Sequence, residues 1–383
     1  MARAVGATMI MATPDELLKI KIENSLWLLC KNFGTLFDSL MSFGAGTGSD
    51  GIVSYLSDIL KENDKDAIRK HVSIIRENRG QLKKLLSTPQ VKQRSEEWYA
   101  LRRERLTASD TGQAMNRGHY GNRDKLIENK AFPETVVFNA TCPPLKHGTM
   151  FEDMTARCYS QRNNNIKIYE FGLIPHPTLS CYGASPDGIT EMGVMTEIKT
   201  PWRRKVNGDI LEQYRLQMQG QMAVAGITEC DFIDCEMEDL RNENIYRDVV
   251  ATNLKVDHGI ILECVPNEDN EQYLYSPENM TTAETIIWKN NILSRFTETN
   301  VGLDIKIVYW KLRKMMIKRV YFDNNEWTNE IAPAVQKFWD DVIKARESGI
   351  GRNIKTNNDV NVNLDDSNKK QKFLQFIDSD EDD

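Results

Sequence analysis

The sequence predicts an α/β (α+β) protein with a central mixed β-sheet flanked by helices, preceded by a helical N-terminal extension. Three observations carry this expectation. Apolar residues recur three and four apart through 14–43, and again through 52–60 and 64–87, as in helices with one buried face. Between 166 and 200 the chain instead runs in short apolar stretches separated by turn residues. From 94 to about 345 the two patterns come in blocks, which calls for a mixed sheet with helices packed on it.

Taken in order, the first helix is followed by "GAGTGSDG" (44–51). No Lys-Ser/Thr follows these glycines and no strand precedes them, so a flexible connector is expected, not a phosphate loop. "STPQ" then breaks the helical pattern and closes an extension spanning 1–90. Helices are expected at 95–105, 109–116, 122–131, 147–162, 208–226 and 330–346. Strands are expected near 166–174, 180–184, 188–190, 194–200, 229–236, 260–265 and 304–310. These make a folded domain of 91–346. The Asn/Asp-rich, acidic 347–383 reads as a disordered tail.

With 383 residues, 40% apolar and 27% charged, the chain has the length for one large domain with an attachment, or for two domains. No apolar run approaches the ~20 residues of a membrane span. "MARAVGATMIMATPDELLK" lacks the apolar core of a signal peptide, so an intracellular protein is expected. The seven cysteines are scattered without a Cys-x-x-Cys, which argues against a disulfide framework and a thiolate metal site. Cys230 and Cys235, flanking "DFID", read as small buried hydrophobes. The five histidines are isolated, and His147 reads as a polar residue at a helix start. Net charge is −7, much of it in the tail, while basic residues cluster at 102–105, 203–205 and 311–318. Such patches can steer a polyanion, although each taken singly reads as a wet helix face.

The chemistry concentrates in "YGASPDGITEMGVMTEIKTPW" (182–202). "EMG" (191–193) has the form of a three-residue hairpin turn with Gly193 where φ is positive. A turn centred on Met192 sets Asp187 opposite Glu197, about 5 Å apart at Cβ. Lys199, two residues on, shares the face of Glu197. Facing carboxylates repel unless a cation lies between them, and oxygen ligands completed by water suit Mg²⁺, or Mn²⁺. Lys199 would then orient or help deprotonate a water and stabilise charge on a phosphate. The structural alternative is a buried ion pair with one extra acid. Glu-x-Lys recurs in "ENK" (128–130), without a facing Asp.

"SPDG" followed by "EIK" resembles the signature of the PD-(D/E)xK nucleases, and the surrounding stretches resemble the lambda-exonuclease-like branch, the YqaJ viral recombinases or viral alkaline nucleases. In "SEEWYALRRERLTASD" (95–110), Trp98 and Arg102 lie one helical turn apart and Thr107 or Ser109 offers an N-cap. The resemblance implies that Arg102 and Ser109 hold a terminal DNA phosphate. In "HGTMFEDMTARCYSQ" (147–161), Glu152 by itself reads as a surface residue, and the resemblance makes it a third acid at the metal. Ser185 of "SPDG" is implied as a phosphate contact, and Arg203, Arg204 or Lys205 of "TPWRRK" as a backbone contact. In "GDILEQYRLQMQGQMAVAG" (208–226), the stretch from Tyr214 to Gln219 is similar to the family's Y-x-x-Q-x-Q. This points to Gln217 as the active-site glutamine with Gln219 its companion, while Gln221 reads as part of a solvated stripe.

The resemblance implies a restriction-endonuclease-like core over 91–346 and a Mg²⁺-dependent exodeoxyribonuclease, with Glu152, Asp187 and Glu197 on the metal and Lys199 and Gln217 assisting. A 5′–3′ digestion of double-stranded DNA ends in phage or viral recombination follows, with a single-strand annealing protein as partner. An endonuclease, an RNA-degrading enzyme or an idle nucleic-acid-binding module are the alternatives.

Overall fold

The computed structural model describes residues 7–10, 12–34, 37, 47–118, 122–133, 142–252, 257–264, 273–298 and 305–349, so the expected tail lies outside the described residues except for 347–349, which close the last helix. Helix α1 (Pro14–Phe33) starts at a capping box: Glu16 N donates to Thr13 Oγ1, and Thr13 N donates to Glu16 Oε2. It ends at Phe33 with Gly34 as its C-cap, and most of the rest of the expected span lies outside the described residues. The glycine stretch expected as a connector is helical from Thr47, opening α2 (Thr47–Leu60). Each helical glycine costs about 1 kcal/mol relative to Ala, but Ile52, Val53 and Leu56 are buried beside Ile22 and Leu26, and that packing prevails. Helix α3 (Lys65–Ser87) is capped by Asp64 Oδ1, which accepts from Asp66 N and Ala67 N. The first ninety residues also supply a strand, β1 (Ala7–Ile10), which the periodicity did not foretell.

The remaining helices are α4 (Glu96–Arg103), α5 (Arg123–Ala131), α6 (Pro143–Arg162), α7 (Glu212–Ala225), α8 (Glu243–Thr252), α9 (Thr282–Glu298) and α10 (Ala332–Ser348), with short helical turns over 108–114 and 324–331. Helices α8 and α9 are additions to the expected set. The larger sheet runs β10 (Tyr273–Tyr275), β9 (His258–Cys264), β11 (Ile305–Tyr321), β8 (Glu229–Asp239), β7 (Met195–Lys199), β6 (Gly188–Thr190), β3 (Ile168–Tyr169), with β1 parallel to β11. A second sheet joins β2 (Leu106–Thr107), β5 (Tyr182–Ala184) and β4 (Ile174–Pro175). Pair β7–β8 is parallel with α7 as its crossover, while β6–β7 and β8–β11 are antiparallel. The expected mixed sheet flanked by helices is therefore the fold the chain adopts.

Alternation along β8 divides the core. Ile233 and Cys235 face one cluster with Leu26, Leu56, Ile75 and Phe151, so α1–α3 and α6 share a core with the sheet. Cys230 and Phe232 face the other, with Leu216 and Met222 of α7 and Phe338 of α10. Both cysteines are fully buried, as their setting indicated. Strand β11 continues eleven residues beyond its expected end, with a bulge between Leu312 and Lys314. The basic stretch 311–318 is thus strand, not helix face. Lys311 pairs with Glu238 and Arg313 with Glu236 across the β11–β8 pair, and Lys314 Nζ donates to Val206 O. His147 is the fifth residue of α6 and not at its start. Its ring tilts against Phe151 at 4.7 Å, and burial lowers its pKa to about 4.

Candidate active site

The hairpin β6–β7 turns where the sequence places it. Gly193 takes φ +76°, Thr190 N donates to Val194 O, and Gly193 N donates to Thr190 O. Gly188 lies opposite Thr196 and Ile189 opposite Met195, which carried one step on sets Asp187 opposite Glu197. Asp187 Oδ2 accepts from Ile198 N at 2.7 Å across that step. Glu197 is fully buried; its Oε1 pairs with Lys199 Nζ at 2.6 Å and its Oε2 accepts from Gln221 Nε2 at 2.7 Å. Lys199 Nζ also lies 4.8 Å from the centre of the Tyr214 ring, which stacks on Phe232. Glu152 projects from α6, about a third exposed, with Arg94 Nη2 3.6 Å away.

Charge at this face is out of balance. Burial, then Glu197 and Glu152, raise the Asp187 carboxyl well above the carboxylate range. Burial likewise raises Glu152, with Arg94 opposing. Burial works against the Lys199 ammonium, but Glu197, Tyr214 and Asp187 hold its pKa above the ordinary lysine value. Lys199 is thus held in its charged form by the acids around it. Among the described residues, no three His, Cys, Asp or Glu side chains close into a metal cage. The donor set is two facing carboxylates with a third nearby, all oxygen, which fits a cation such as Mg²⁺ that keeps several waters.

The glutamines are distributed differently from expectation. Gln221 of α7 reaches across to Glu197 of β7, and it is almost fully buried. Gln217 lies one turn earlier on the same helix face, half-buried. Gln219 points elsewhere: its Nε2 donates to Tyr321 O and its Oε1 accepts from Asp323 N. Buried and doubly bonded to backbone, Gln219 is a structural residue and not a DNA contact. The close seat of α7 depends on Gly220, since a Cβ there would lie 1.9 Å from the Tyr182 hydroxyl.

A second cluster gathers the residues expected to grip a phosphate. Trp98 Nε1 donates to Ser185 Oγ at 3.1 Å, and the Arg102 guanidinium lies 4.4 Å over the Trp98 ring. Thr107 Oγ1 is 3.1 Å from Ser109 Oγ, donates to Asp110 Oδ2 and accepts from Arg102 Nη2 at 3.5 Å. Neither hydroxyl caps a helix, contrary to expectation, because both are engaged in this network. Lys130 Nζ pairs with Asp110 at 3.1 Å. Burial works against the Asp110 carboxylate, but Lys130 and Arg102 hold its pKa below the ordinary value. Lys130 belongs to the "ENK" tripeptide, the one sequence signal for it, though it serves this cluster and not the carboxylates. After β7, Arg204 is bonded to the fully buried Asp234 at 2.8 and 3.0 Å, so it anchors the loop and is not available to DNA. Arg203, over the Trp202 ring at 4.0 Å, and Lys205 are exposed.

The hairpin, α7 and the Trp98–Ser185 cluster all fall in residues 97–228, which match the model of the YqaJ-like viral recombinase domain. The match falls on the same stretches that carry the sequence motifs. An uncharacterized protein of Acanthamoeba polyphaga mimivirus is 26% identical over 356 residues, covering 81% of this chain; the chain spans 62% of that relative's length. Among solved structures, an alkaline exonuclease (LHK-Exo) from Laribacter hongkongensis is 22% identical with a TM-score of 0.40, covering 66% of this chain and 95% of its own. LHK-Exo in complex with dAMP is 21% identical at the same TM-score and coverage.

Proposed function

We propose that the chain is a Mg²⁺-dependent deoxyribonuclease that digests double-stranded DNA from a 5′ end. The observation that carries this reading is the facing pair Asp187 and Glu197, joined by Glu152, with Lys199 paired to Glu197 beside them. Glu152, Asp187 and Glu197 would hold Mg²⁺, or Mn²⁺. The bound cation supplies a lowered pKa for water and neutralises charge on the scissile phosphate. Gln221 holds Glu197 in one rotamer, so its ligand oxygen is set before substrate arrives. Lys199, kept charged by Glu197, orients the attacking water and stabilises the negative charge that develops on the phosphate. Gln217, one turn before Gln221, lines the approach to the same face.

Arg102, Ser109 and Ser185, with Thr107 and Lys130 behind them, suit a terminal 5′-phosphate, which favours exonucleolytic action. Tyr214 packs beneath Lys199, while Trp202, Arg203 and Lys205 present an aromatic and basic edge to the strand. Backbone contacts of this kind give affinity without sequence choice. Digestion would leave 3′ single strands for a single-strand annealing protein, in viral or phage recombination, replication or repair inside the host cell. The deciding assay compares linear 5′-phosphorylated duplex, its 5′-hydroxyl form, closed circular DNA and RNA, each with Mg²⁺ and with EDTA. Preferential, EDTA-sensitive loss of the 5′-phosphorylated duplex is expected. Cutting of closed circles would make the enzyme an endonuclease, and inertness toward all substrates would leave a binding module.

A further inference from the structure

The register of the β6–β7 hairpin decides whether Asp187 faces Glu197, because a slip of one residue sends Glu197 and Lys199 to the opposite side of the sheet. That register turns at 191–193, and helix α3 lies directly against the turn. A Cβ on Gly193 would sit 2.6 Å from the Asn78 carbonyl carbon and 2.8 Å from Arg79 N. Arg79, 4% exposed, donates from Nη1 to Glu191 O at 2.6 Å and pairs with Glu191 Oε1 at 3.1 Å. Tyr169 of β3 holds the other Glu191 oxygen. One residue earlier on α3, Asn78 Oδ1 accepts from both Thr228 N and Thr228 Oγ1 at 3.2 Å. Thr228 stands where α7, the carrier of Gln221, gives way to β8.

Two adjacent residues of α3 therefore hold both turns that locate the carboxylate face: the hairpin turn, which sets Asp187 against Glu197, and the α7–β8 turn, which sets Gln221 over Glu197. Asn78 and Arg79 are both buried, so truncating either side chain removes its bonds to the turn and leaves a gap in the packing of α3. Residues 65–87 precede the segment that matches the recombinase domain. We propose that Asn78 and Arg79 are positioning residues of the metal-binding carboxylates, and that the site is complete only with the N-terminal helices in place. The inference rests on the nuclease reading above.

The test uses the full chain and the variant Arg79→Met, which keeps the aliphatic stem and removes the guanidinium. Hydrogen–deuterium exchange of 188–199 is read beside the Mg²⁺ concentration that half-activates DNA cleavage. Arg123→Met, which breaks the Arg123–Asp341 pair between α5 and α10, serves as a control for general destabilisation. In Arg79→Met, hairpin exchange is expected to rise about tenfold, the half-activating Mg²⁺ to rise about fivefold, and KM for DNA to stay within about twofold. Arg79→Lys, which still reaches Glu191 O, is expected to fall between. If Arg79→Met does not fold, Glu191→Gln replaces it with the same expected directions. Exchange and Mg²⁺ dependence matching the Arg123→Met control overturn the proposal. A wild-type chain without divalent-dependent cleavage overturns the nuclease reading instead, and the exchange arm alone then decides whether α3 holds the hairpin.

Discussion

Arg319 and Lys19 sit among Glu23, Glu229 and Asp231 between α1 and the sheet; Lys199 sits among Glu152, Asp187 and Glu197 at the hairpin. Both sets bury charge on neighbouring strands, yet they are built to different ends. In the first, Arg319 donates to Asp231 at 2.5 Å, to Glu23 at 2.8 and 3.0 Å and to Glu229 at 3.3 Å. Lys19 pairs with Glu229, and the Tyr159 hydroxyl donates to Asp231. Burial opposes the Arg319 charge, but Asp231 and Glu23 hold its pKa well above the usual value. Every acid there has a partner within the protein. At the hairpin three acids share one lysine, with Arg94 at the rim, and two of the acids are pushed toward protonation. A buried cluster that satisfies itself ties elements together. At the hairpin Lys199 pairs with Glu197 and Arg94 with Glu152, while Asp187, among the described residues, is bonded only to a backbone N–H, which leaves its carboxylate the natural place for an added cation.

That contrast can be broken at several points. The largest effect is expected from Asp187→Ala or Lys199→Ala, each lowering Mg²⁺-dependent digestion by at least about 10³-fold while circular dichroism stays native. Full activity in either variant would sink the assignment. In the self-satisfied cluster the same kind of lesion acts on stability: Arg319→Met leaves three buried acids with Lys19 alone and should cost about 3–5 kcal/mol, read by chemical denaturation. A loss under about 1 kcal/mol would mean that the cluster is not the structural tie described.

The charge shortage also has a pH signature. Asp187 is raised in the fold above its reference value of 3.8, so the folded chain holds its proton more tightly than the unfolded chain. The stability this contributes is present below the unfolded pKa and is lost as pH rises through the folded one. In EDTA, Asp187→Asn should therefore melt about 2 °C or more above wild type at pH 8, and the margin should vanish at acidic pH. Mg²⁺ should raise the wild-type melting temperature and leave that of the variant nearly unchanged. Gln221→Ala should raise the Mg²⁺ requirement about tenfold, whereas Gln219→Ala should alter stability and leave that requirement alone. The smallest effect belongs to Trp202→Ala, with KM for DNA about fivefold higher and kcat unchanged.

Local signals carried further into the site than into the fold's edges. The Glu-Met-Gly turn and strict two-residue alternation were enough to set Asp187 against Glu197, because hairpin register depends on a few adjacent residues. Glu152 was reached through its motif alone, since the helix pattern around it reads as ordinary surface. Gln221 is not legible in the sequence, because a polar residue on a helix border looks solvated until its partner on a distant strand is known. Arg204 was weighed as a DNA contact because its partner Asp234 lies thirty residues away on another strand. Strand β11 was cut short because its basic residues obscured the apolar alternation, which cross-strand acids make tolerable.

The sequence by itself determined the hairpin, its register and the three residues converging on it, for these follow from backbone geometry over a dozen residues. Only the tertiary structure decided which glutamine touches the carboxylates, which arginine is bound up in the core, and that α3 lies against the turn. Those outcomes depend on which distant segments pack together, and side-chain reach across such contacts leaves no periodic trace in the chain.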